Sequence, residues 1–555
     1  MTIKDAYSCD FETLSIDTLD YTYIWAWAAT SIDNPELTIF GSTMEEYIDF
    51  ISKHKIAFFH NAKFDFSFII DWLFRMGFTI GNREHQFEIL MSGNGKMYSM
   101  KITWEWKDEK HYKRTTFYDS LKKLPFSVDQ LAKSFEMPIR KLVGSIDYKK
   151  YRPYGHIMTE EEKAYIENDS KIVAYALRDI IKLGNNRMTI GSDAINTFIS
   201  DMGKKDFKRV YPEIDIETDT YLRKAYKGGY TYVNERFQNK MVGEGIVLDV
   251  NSLYPSRMRY ELMPYGKPVF FKGKYEDDER HPLYIQRCII SGNIKDGYLP
   301  CLQLKGNKLF NEVEYIKGTS GEEVEVTLTN IDLKLIEEHY DFDITYLDGY
   351  KFKGSYHQFD KYIDYFMEVK INNKGAMKTW AKLMLNNLYG KFGSNPKVTT
   401  KYPEYGEDEI VHYKDGEDDT KIPPYLPTAI YTTAYARYYT ITNCQKNYDR
   451  FLYADTDSMH LLGLEEPEGI EIDDDKLGAW KKESTFTKAK YIRPKTYIEM
   501  VDGKLDVKAC GLPSYCKSQV TFDNFNPGAE YTGKLRPVTV RGGIILKETS
   551  FKIKL

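Results

Sequence analysis

The hydrophobic and polar positions of the first 186 residues alternate between strand-like and helix-like patterns. AYSCDFET and YTYIWAWAAT are rich in aromatic and β-branched residues, which predicts strands. MEEYIDFISKH and FIIDWLFRMG have apolar residues at helical spacing. TEEEKAYIENDSKIVAYALRDIIKLG reads as an amphipathic helix that opens on a capping box, Thr159 with Glu162. Gly184-Asn185-Asn186 stops this helix and predicts a domain boundary.

From residue 187 onward the pattern is less regular. GIVLDV predicts a buried strand, which a turn at Ser252-Leu253-Tyr254-Pro255 ends. Residues 259–356 predict a subdomain of mixed strands with one helix, NIDLKLIEEHY. Two helices, QFDKYIDYFMEVK and MKTWAKLMLNNLYG, precede a polar loop or hairpin. The helix TTAYARYYTITNCQK, the strand RFLYADTDSMHLL and a strand-rich tail from about residue 527 complete a mixed α/β chain.

Composition narrows the class of protein. A chain of 555 residues is too long for one compact core, so several domains are expected. Hydrophobic residues at 42% and charged residues at 29% are typical of a globular protein. The sequence has neither an apolar run long enough for a membrane helix nor a secretory leader. Six cysteines without a CxxC pair predict reduced thiols and no zinc ribbon. A net charge of -5 argues only weakly against nucleic-acid binding, because local patches decide it.

Two separated segments place carboxylates where strands end. Asp455 and Asp457 in YADTDS are one residue apart and so share a face of a strand or hairpin. Asp249 ends the buried run GIVL. A solvated Asp-Thr-Asp turn is the plain reading of YADTDS alone. Together with Asp249, however, the pair has the composition that two-metal phosphoryl transfer requires, because close carboxylates repel unless a cation neutralises them.

Positive charge recurs every four residues at Lys370, Lys374, Lys378 and Lys382. This spacing predicts a lysine stripe along one side of a helix. A solvated face is the ordinary reading of such a run. Asn386 and Tyr389 continue the same side, and this combination suits a nucleotide's phosphates and its base or sugar.

A second set of acids lies near the N-terminus. Asp10 and Glu12 alternate on a predicted strand, and Asp65 begins an apolar helix. Tyr165 and Asp169 are four residues apart on the capped helix, so they share its face. Surface placement is the ordinary reading of each fragment alone. Four convergent acids could hold two metal ions and hydrolyse a phosphodiester.

These motifs resemble those of the protein-primed bacteriophage branch of the family B (α-like) DNA polymerases. DVNSLYPS is similar to motif A, KLMLNNLYG to motif B and YADTDS to motif C, in that order. YKGG and KTY resemble the branch's YxGG and KxY motifs. The acids near the N-terminus resemble the three motifs of DEDD-type 3′–5′ exonucleases. The resemblance covers nearly the whole chain.

The resemblance implies roles for individual residues of the polymerase site. Asp249 and Asp457 would ligate metal ions, with the Val250 carbonyl as a further ligand and Asp455 in support. Tyr254 would exclude a ribose 2′ hydroxyl. The triphosphate and nascent base pair would be held by Lys370, Lys378, Lys382, Asn386 and Tyr389. The primer terminus would be held by Lys495 and Tyr497, and the template strand would pass Tyr226, Gly228 and Gly229.

For the exonuclease, the resemblance implies metal ligation by Asp10, Glu12, Asp65 and Asp169, with Tyr165 orienting the attacking water. Lys141 is the candidate for the supporting lysine. A frayed 3′ end would contact the following residues: His60, Asn61, Phe64, Ser120 and Leu121. For His60, a packed or capping role is an equal alternative.

The implied fold is an RNase H-like exonuclease domain followed by a right-hand polymerase domain with two insertions. Its expected segments are an exonuclease at 1–186, palm at 187–258 and 428–526, a first insertion at 259–356, fingers at 357–393, a second insertion at 394–427 and a thumb at 527–555. The implied cofactor is Mg²⁺, two ions per site, with Mn²⁺ as a substitute. The implied partners are primer-template DNA, single-stranded DNA, dNTPs and a terminal priming protein, for a monomer in the cytoplasm of the infected bacterial host.

Three alternatives stay open on the residues. A pure nuclease would use only the N-terminal acids and would leave DVNSLYPS and YADTDS unexplained. A catalytically dead scaffold would only bind nucleic acid. An RNA polymerase or reverse transcriptase is closer in chemistry, and Tyr254 favours dNTP over it.

Overall fold

The computed structural model describes residues 1–16, 18–142, 144, 146–147, 150–304 and 315–554. Strands and helices alternate through the N-terminal part, which confirms the prediction from the sequence pattern. Their bounds are β1 Ala6–Thr13, β2 Ile24–Ser31, β3 Thr38–Gly41, α1 Met44–Ile51, β4 Ile56–Phe59, α2 Lys63–Arg75, β5 Thr79–Ile80, β6 Gln86–Ser92, β7 Met97–Trp106, β8 Tyr112–Asp119, α3 Val128–Ser134 and α4 Glu160–Lys182.

The middle of the chain begins with helices that the sequence pattern did not predict, α5 to α7. The bounds are α5 Ile190–Met202, α6 Lys204–Val210, α7 Ile216–Arg223, β9 Thr231–Val233, β10 Met241–Val242, β11 Gly245–Val250, α8 Leu253–Tyr260, β12 Met263–Lys272, β13 Leu283–Ile294, β14 Leu302–Gln303, β15 Tyr315–Ile316, β16 Val324–Thr329, α9 Asn330–His339 and β17 Tyr340–Ser355. Mixed strands with one helix, α9, are thus found between residues 259 and 356 in the described part of the chain.

The C-terminal part combines the predicted helices with a series of hairpins. Its bounds are α10 Asp360–Asn372, α11 Gly375–Phe392, β18 Lys397–Tyr405, β19 Val411–Thr420, α12 Pro427–Lys446, β20 Phe451–Asp455, β21 Ser458–Leu462, β22 Trp480–Phe486, β23 Ala489–Arg493, β24 Thr496–Val501, β25 Lys504–Ala509, β26 Glu530–Val540 and β27 Gly543–Lys552. The polar stretch after α11 is the hairpin β18–β19, and the tail is the hairpin β26–β27, as predicted.

Two sheets position the candidate sites. The larger has the strand order β19-β18-β6-β7-β8-β4-β1-β2-β3, with β5 beside β6. The hairpin β18–β19 therefore extends the N-terminal sheet, because Thr400 on β18 pairs with Ser92 on β6. These two residues are more than 300 positions apart in the sequence. The second sheet has the order β22-β11-β21-β20-β9. It places Asp249 on β11 next to β21, so that Asp249 lies beside the β20–β21 turn that contains Asp457.

The predicted capping box at the start of α4 is confirmed. The Thr159 hydroxyl accepts a hydrogen bond from the Glu162 N–H at 3.2 Å, and the Glu162 carboxylate accepts one from the Thr159 N–H at 3.0 Å. The same carboxylate is bonded to Arg152 at 2.7 Å and to His156 at 2.8 Å. These bonds fix the first turn of the helix that carries Tyr165 and Asp169.

Two local predictions are wrong. The turn predicted at residues 252–255 ends at Ser252, which is left-handed with φ +55°. Leu253 already begins α8. The lysine stripe does not lie on one helix, because α10 ends at Asn372 and α11 begins at Gly375. Asn373 and Lys374 between the two helices have extended backbones, and Gly375 has φ +55°, so the helix is interrupted here. A Cβ on Gly375 would lie 3.1 Å from the Phe135 carbonyl oxygen, which favours glycine at this position.

Candidate active sites

The first site is built where β11 ends beside the β20–β21 turn. Asp249 is paired with Ser458 across the sheet, and Asp455 and Asp457 flank Thr456, which has φ +62°. The Asp457 N–H donates to the Asp455 carbonyl at 2.7 Å, and the Val250 N–H donates to the Asp457 carbonyl at 2.8 Å. The backbone therefore fixes the two segments relative to each other.

Burial raises the pKa of two carboxylates of this site, and neighbouring negative charges add to the effect. Burial raises the pKa of Asp249 to about 7, and the charges of Asp457 and Glu483 add to the effect. Burial likewise raises the pKa of Asp457, with Asp455 and Glu483 adding to it. Lys382 opposes the rise at both acids. A cation bound beside these acids would favour their ionised forms, because it offsets both the burial and the like charges.

Lysines from two helices face these acids although no single helix carries them all. The Lys370 ammonium donates to the Ser252 hydroxyl at 3.0 Å. Burial lowers the pKa of Lys370 to about 8, and the charges of Lys382, Lys481 and Lys378 lower it further. Lys378, Lys382 and Asn386 are exposed at successive four-residue positions of α11. An anion entering this space would meet a cluster of ammonium groups.

Two tyrosine rings lie against each other between the acids and α11. The rings of Tyr254, in the first turn of α8, and Tyr389, on α11, have centroids 4.3 Å apart. Burial raises the pKa of both phenols, which keeps them neutral hydrogen-bonding groups. The sequence predictions for these two residues thus converge on one place in the fold.

Asp455 is already partnered, unlike Asp249 and Asp457. The Lys495 ammonium lies 2.9 Å from each of its carboxylate oxygens, and the Thr231 hydroxyl donates to it at 3.1 Å. Lys495 has φ +59°, and its backbone N–H donates to the Tyr453 hydroxyl at 3.0 Å. Tyr497 packs on Tyr453 with ring centroids 5.1 Å apart. This arrangement agrees with a supporting place for Asp455.

The glycines of YKGG have different surroundings. A Cβ on Gly229 would lie 2.6 Å from the Thr456 side chain, whereas Gly228 has open space. The close approach that Gly229 allows is thus made to the acid-bearing turn itself. Burial raises the pKa of Tyr226 to about 12. Its hydroxyl packs closely on Gly393, where an added Cβ would lie only 2.4 Å from it.

Lys481 and Glu483 belong to this site but were missed from sequence. Both lie on β22, which pairs with β11 so that Lys481 is opposite Asp249. The pairing shifts register after Val247 of β11. The segment WKKESTF has little strand signal, because lysine and glutamate are uncommon in strands, and nothing in the sequence pairs it with β11.

The second site is a cavity of about 420 Å³ at the face of β1 and α4. Asp10, Glu12, Lys141, Tyr165 and Asp169 line it, as does Phe64. Asp65, in the first turn of α2, is buried and lies outside the described lining of the cavity. The charge of Asp10 contributes to the raised pKa of Asp65, after its burial. The structure thus brings the predicted acids together from a strand and two helices.

These acids are crowded and largely out of water. Burial raises the pKa of Asp10 to about 7, and the Asp169 charge adds to it. Burial raises the pKa of Glu12 and Asp65 well above the ordinary range, with Asp10 contributing to both. The Lys141 ammonium forms an ion pair with one Asp169 oxygen, and the other oxygen, Oδ1, is buried without a hydrogen-bond partner.

The residues expected to hold a DNA end divide into two groups. Phe64 faces the cavity, and Asn61 has φ +69° with its N–H donating to Asp119 at 3.0 Å. His60 is bonded to the Ser120 hydroxyl at 2.9 Å and to the Phe126 carbonyl at 2.7 Å, and burial lowers its pKa. Ser120 is fully buried, and Leu121 follows it in a short 3-10 turn. These contacts of His60 match the alternative in which its ring is packed inside the protein.

Part of the cavity wall comes from the C-terminal hairpin, which sequence reasoning did not connect with this site. Leu535, Leu546 and Glu548 line the cavity, and the Leu546 N–H donates to the Ser15 hydroxyl at 3.2 Å. The contact joins residues more than 500 positions apart, so no local pattern could reveal it.

Both sites suit a hard cation shared with a substrate. No group of three or more His, Cys, Asp or Glu side chains within the described ranges forms a ready-made metal cage. Mg²⁺ is ordinarily held by one or two carboxylates, with water and phosphate oxygens completing its shell. Asp249 with Asp457, and the unpartnered Asp169 oxygen near Asp10, offer such oxygen ligands. Over the same ranges, no helix is long and apolar enough to cross a bilayer.

The sequence matches the family described as DNA polymerase type B, organellar and viral, over residues 47–154 and 142–475. It is 43% identical to the DNA polymerase of Bacillus phage B103, over 99% of this chain and 100% of that protein. It is 42% identical to the DNA polymerase of Bacillus phage phi29, over 99% of each. The solved structure of phi29 DNA polymerase complexed with primer-template DNA and incoming nucleotide substrates superposes with a TM-score of 0.93, at 42% identity over 99% of this chain and 100% of that one.

Proposed function

Because this chain belongs to the organellar and viral type B DNA polymerases, and is itself a DNA-directed DNA polymerase, we propose that Asp249 and Asp457 form the centre that adds dNTPs to a primer 3′ end. The observation that carries the proposal is that Asp249 on β11 lies beside Asp457 in the β20–β21 turn, with the pKa of Asp249 raised to about 7 near a cluster of lysines. A cation bound between the two acids would favour their ionised forms, and the lysines would meet the charge of a triphosphate.

Asp249, Asp457 and the Val250 carbonyl would hold the divalent ions, Mg²⁺ with Mn²⁺ as a substitute. Bound there, two such ions would supply Lewis-acid stabilisation of charge on the reacting phosphoryl oxygens. Asp455 is committed to Lys495 at 2.9 Å, so it supports the site instead of binding an ion. The three acids therefore divide into two ligands and one organiser.

The lysines would orient the triphosphate and offset its charge. Lys370 is fixed by Ser252 at 3.0 Å, directly after the strand that carries Asp249. Lys378 and Lys382 extend the positive charge along the exposed face of α11, and Asn386 continues that face. Oriented cations that need no reorganisation during the reaction stabilise the charge that develops on the phosphates.

Tyr254 and Tyr389 would form the floor of the sugar and base pocket. Their ring centroids lie 4.3 Å apart, so the Tyr389 ring supports the position of the Tyr254 ring. A 2′ hydroxyl would meet the Tyr254 ring, which favours dNTP over NTP. Lys495 and Tyr497 would hold the primer terminus, since their hairpin lies against Asp455. Tyr226, Gly228 and Gly229 would border the template strand.

We further propose that the second site is a 3′–5′ exonuclease acting on single-stranded ends. Asp10, Glu12, Asp65 and Asp169 would hold its two ions, and Lys141 would keep Asp169 ionised. The Tyr165 hydroxyl would orient the attacking water. Phe64 lines the cavity and offers a ring for stacking on an unpaired base. Asn61, Leu121, His60 and Ser120 would contact the same single-stranded end.

The insertions at 259–356 and 394–427 support proposals of protein priming and strand displacement. The hairpin β18–β19 extends the sheet of the exonuclease domain, so it connects that domain with the fingers helix α11. A hairpin in this place could hold template and displaced strands apart. We place the enzyme in the infected host cell, as a monomer that receives a terminal protein as primer.

Primer extension by single-residue variants tests the division of roles among the acids. We expect Asp457→Ala to abolish extension with Mg²⁺ and dNTPs, and Asp455→Ala to reduce it severely while leaving residual synthesis. Asp475→Ala, an exposed acid after the same strands, is the matched control and should extend normally. Extension by Asp457→Ala at the wild-type rate would refute the assignment.

A further inference from the structure

His460 lies beneath the first site, enclosed by three tyrosine rings. Its ring centroid is 5.1 Å from that of Tyr453, 5.7 Å from Tyr491 and 5.2 Å from Tyr497. Only 1% of the residue is exposed. A polar ring buried to this degree requires a hydrogen-bond partner.

Glu499 is that partner. Its Oε1 lies 2.6 Å from His460 Nδ1 and 2.6 Å from the Tyr491 hydroxyl. Burial acts to raise the pKa of Glu499, but His460 and Tyr491 outweigh it and hold the pKa below the ordinary value. Glu499 is therefore a carboxylate, and both His460 Nδ1 and the Tyr491 hydroxyl donate to it.

This buried pair joins two separate sheets. His460 lies on β21, three residues after Asp457, in the sheet β22-β11-β21-β20-β9. Glu499 lies on β24, in the sheet β10-β23-β24-β25, together with Tyr497 and four residues after Lys495. The pair therefore connects the acid-bearing hairpin with the hairpin that presents Lys495 and Tyr497.

The Tyr453 hydroxyl makes a second connection beside the first. It accepts the Lys495 backbone N–H at 3.0 Å, and its ring packs on both His460 and Tyr497. If the imidazole moved, the Tyr453 and Tyr497 rings would lose the surface that sets their positions. Lys495 would then lose the bond that holds its left-handed backbone above Asp455.

We propose that His460 and Glu499 are positioning residues that hold the Lys495–Tyr497 hairpin in register with the catalytic acids, and so set the affinity for the primer terminus. The inference rests on the proposed polymerase role of Asp249 and Asp457. An apolar core could fill the same volume, often at no loss of stability, but it would not fix the orientation of three rings.

Steady-state primer extension at saturating dNTP, with varied primer-template, separates binding from turnover. We expect Glu499→Leu and His460→Phe to raise the KM for primer-template about tenfold, the effect of losing one hydrogen bond to a charged group, with a smaller change in kcat. Glu499→Asp, which is too short to reach His460, should behave like Glu499→Leu. Glu499→Gln keeps an oxygen that accepts both bonds and should stay close to the wild type.

A double variant tests the route of the effect. Because the pair acts through Lys495, adding Glu499→Leu to Lys495→Ala should raise the KM for primer-template no further than Lys495→Ala alone. Degradation of single-stranded 3′ ends should stay at the wild-type rate in all these variants, because the second site lies in another domain.

His339→Phe is the matched control for a merely structural loss. His339 is 2% exposed, its Nδ1 donates to the Leu299 carbonyl at 2.7 Å, and it lies in the first insertion. Its substitution should lower thermal stability without raising the KM for primer-template. The inference is overturned if Glu499→Leu and His339→Phe have the same KM for primer-template. It is also overturned if the KM of the Lys495→Ala, Glu499→Leu double variant rises by the product of the two single effects. Failure of the wild type to extend primers would instead refute the proposed function.

Discussion

Lys370 should give nucleotide binding a pH dependence centred near pH 8. Burial lowers the pKa of this lysine to about 8, with Lys382, Lys481 and Lys378 contributing. The ammonium is present below that pH and lost above it. Between pH 7 and pH 9 its protonated fraction in the free enzyme therefore falls from about nine-tenths to about one-tenth, since each pH unit changes the ratio tenfold. We expect the apparent KM for dNTP to rise about tenfold over this range.

The assay is steady-state extension at saturating primer-template and constant free Mg²⁺, with dNTP varied at each pH. Lys370→Arg should flatten the dependence, because a guanidinium stays charged across the whole range. Lys378→Arg, on the exposed face of α11, is the matched control and should keep the wild-type rise. A KM for dNTP that stays constant from pH 7 to pH 9 in the wild type, or that rises equally in Lys370→Arg, would refute the reasoning.

Further predictions concern the second site, sugar selection and stability. Asp10→Ala combined with Asp65→Ala should remove degradation of single-stranded 3′ ends and spare synthesis, and persistent degradation by the purified double variant would contradict the exonuclease assignment. Tyr254→Val should increase ribonucleotide incorporation measured by alkali-sensitive product, and no increase would count against the steric role. Burial acts to raise the pKa of Glu162, but its bonds to Thr159, Arg152 and His156 hold the pKa at about 2. Glu162→Gln should therefore lower the Tm at neutral pH, and the difference in Tm from the wild type should shrink as pH falls from about 4.5 towards 2. A difference in Tm that stays constant over this range would argue against a stabilising role for the ionised Glu162 carboxylate.

The sequence predicted the elements that local patterns encode. The capped helix α4 and the strand β1 follow directly from their apolar spacing. The motif residues Asp249 and Asp457 come together because Asp249 lies near the end of β11 and Asp457 lies in the turn that leads into the paired strand β21. The identity of the chain as a type B DNA polymerase could also be inferred from the order of its motifs.

What the sequence could not provide depends on contacts between distant segments. The pairing of Lys481 with Asp249 requires knowing that β22 lies next to β11. The wall that the C-terminal hairpin adds to the second site, through Leu546 and Ser15, joins opposite ends of the chain. The prediction of one helix for the lysine stripe was wrong because the backbone is extended at Asn373 and Lys374 and left-handed at Gly375, which apolar and charged spacing alone does not reveal. The predicted domain boundaries stay predictions.

The most direct test of the central proposal is synthesis on a primed single-stranded circular DNA, with Mg²⁺, dNTPs and this protein alone. We predict wild-type product longer than one circle, which requires both polymerisation and strand displacement. Asp249→Asn should give no product, since the amide retains the shape of the side chain but lacks its charge. Product longer than one circle from Asp249→Asn would contradict the account.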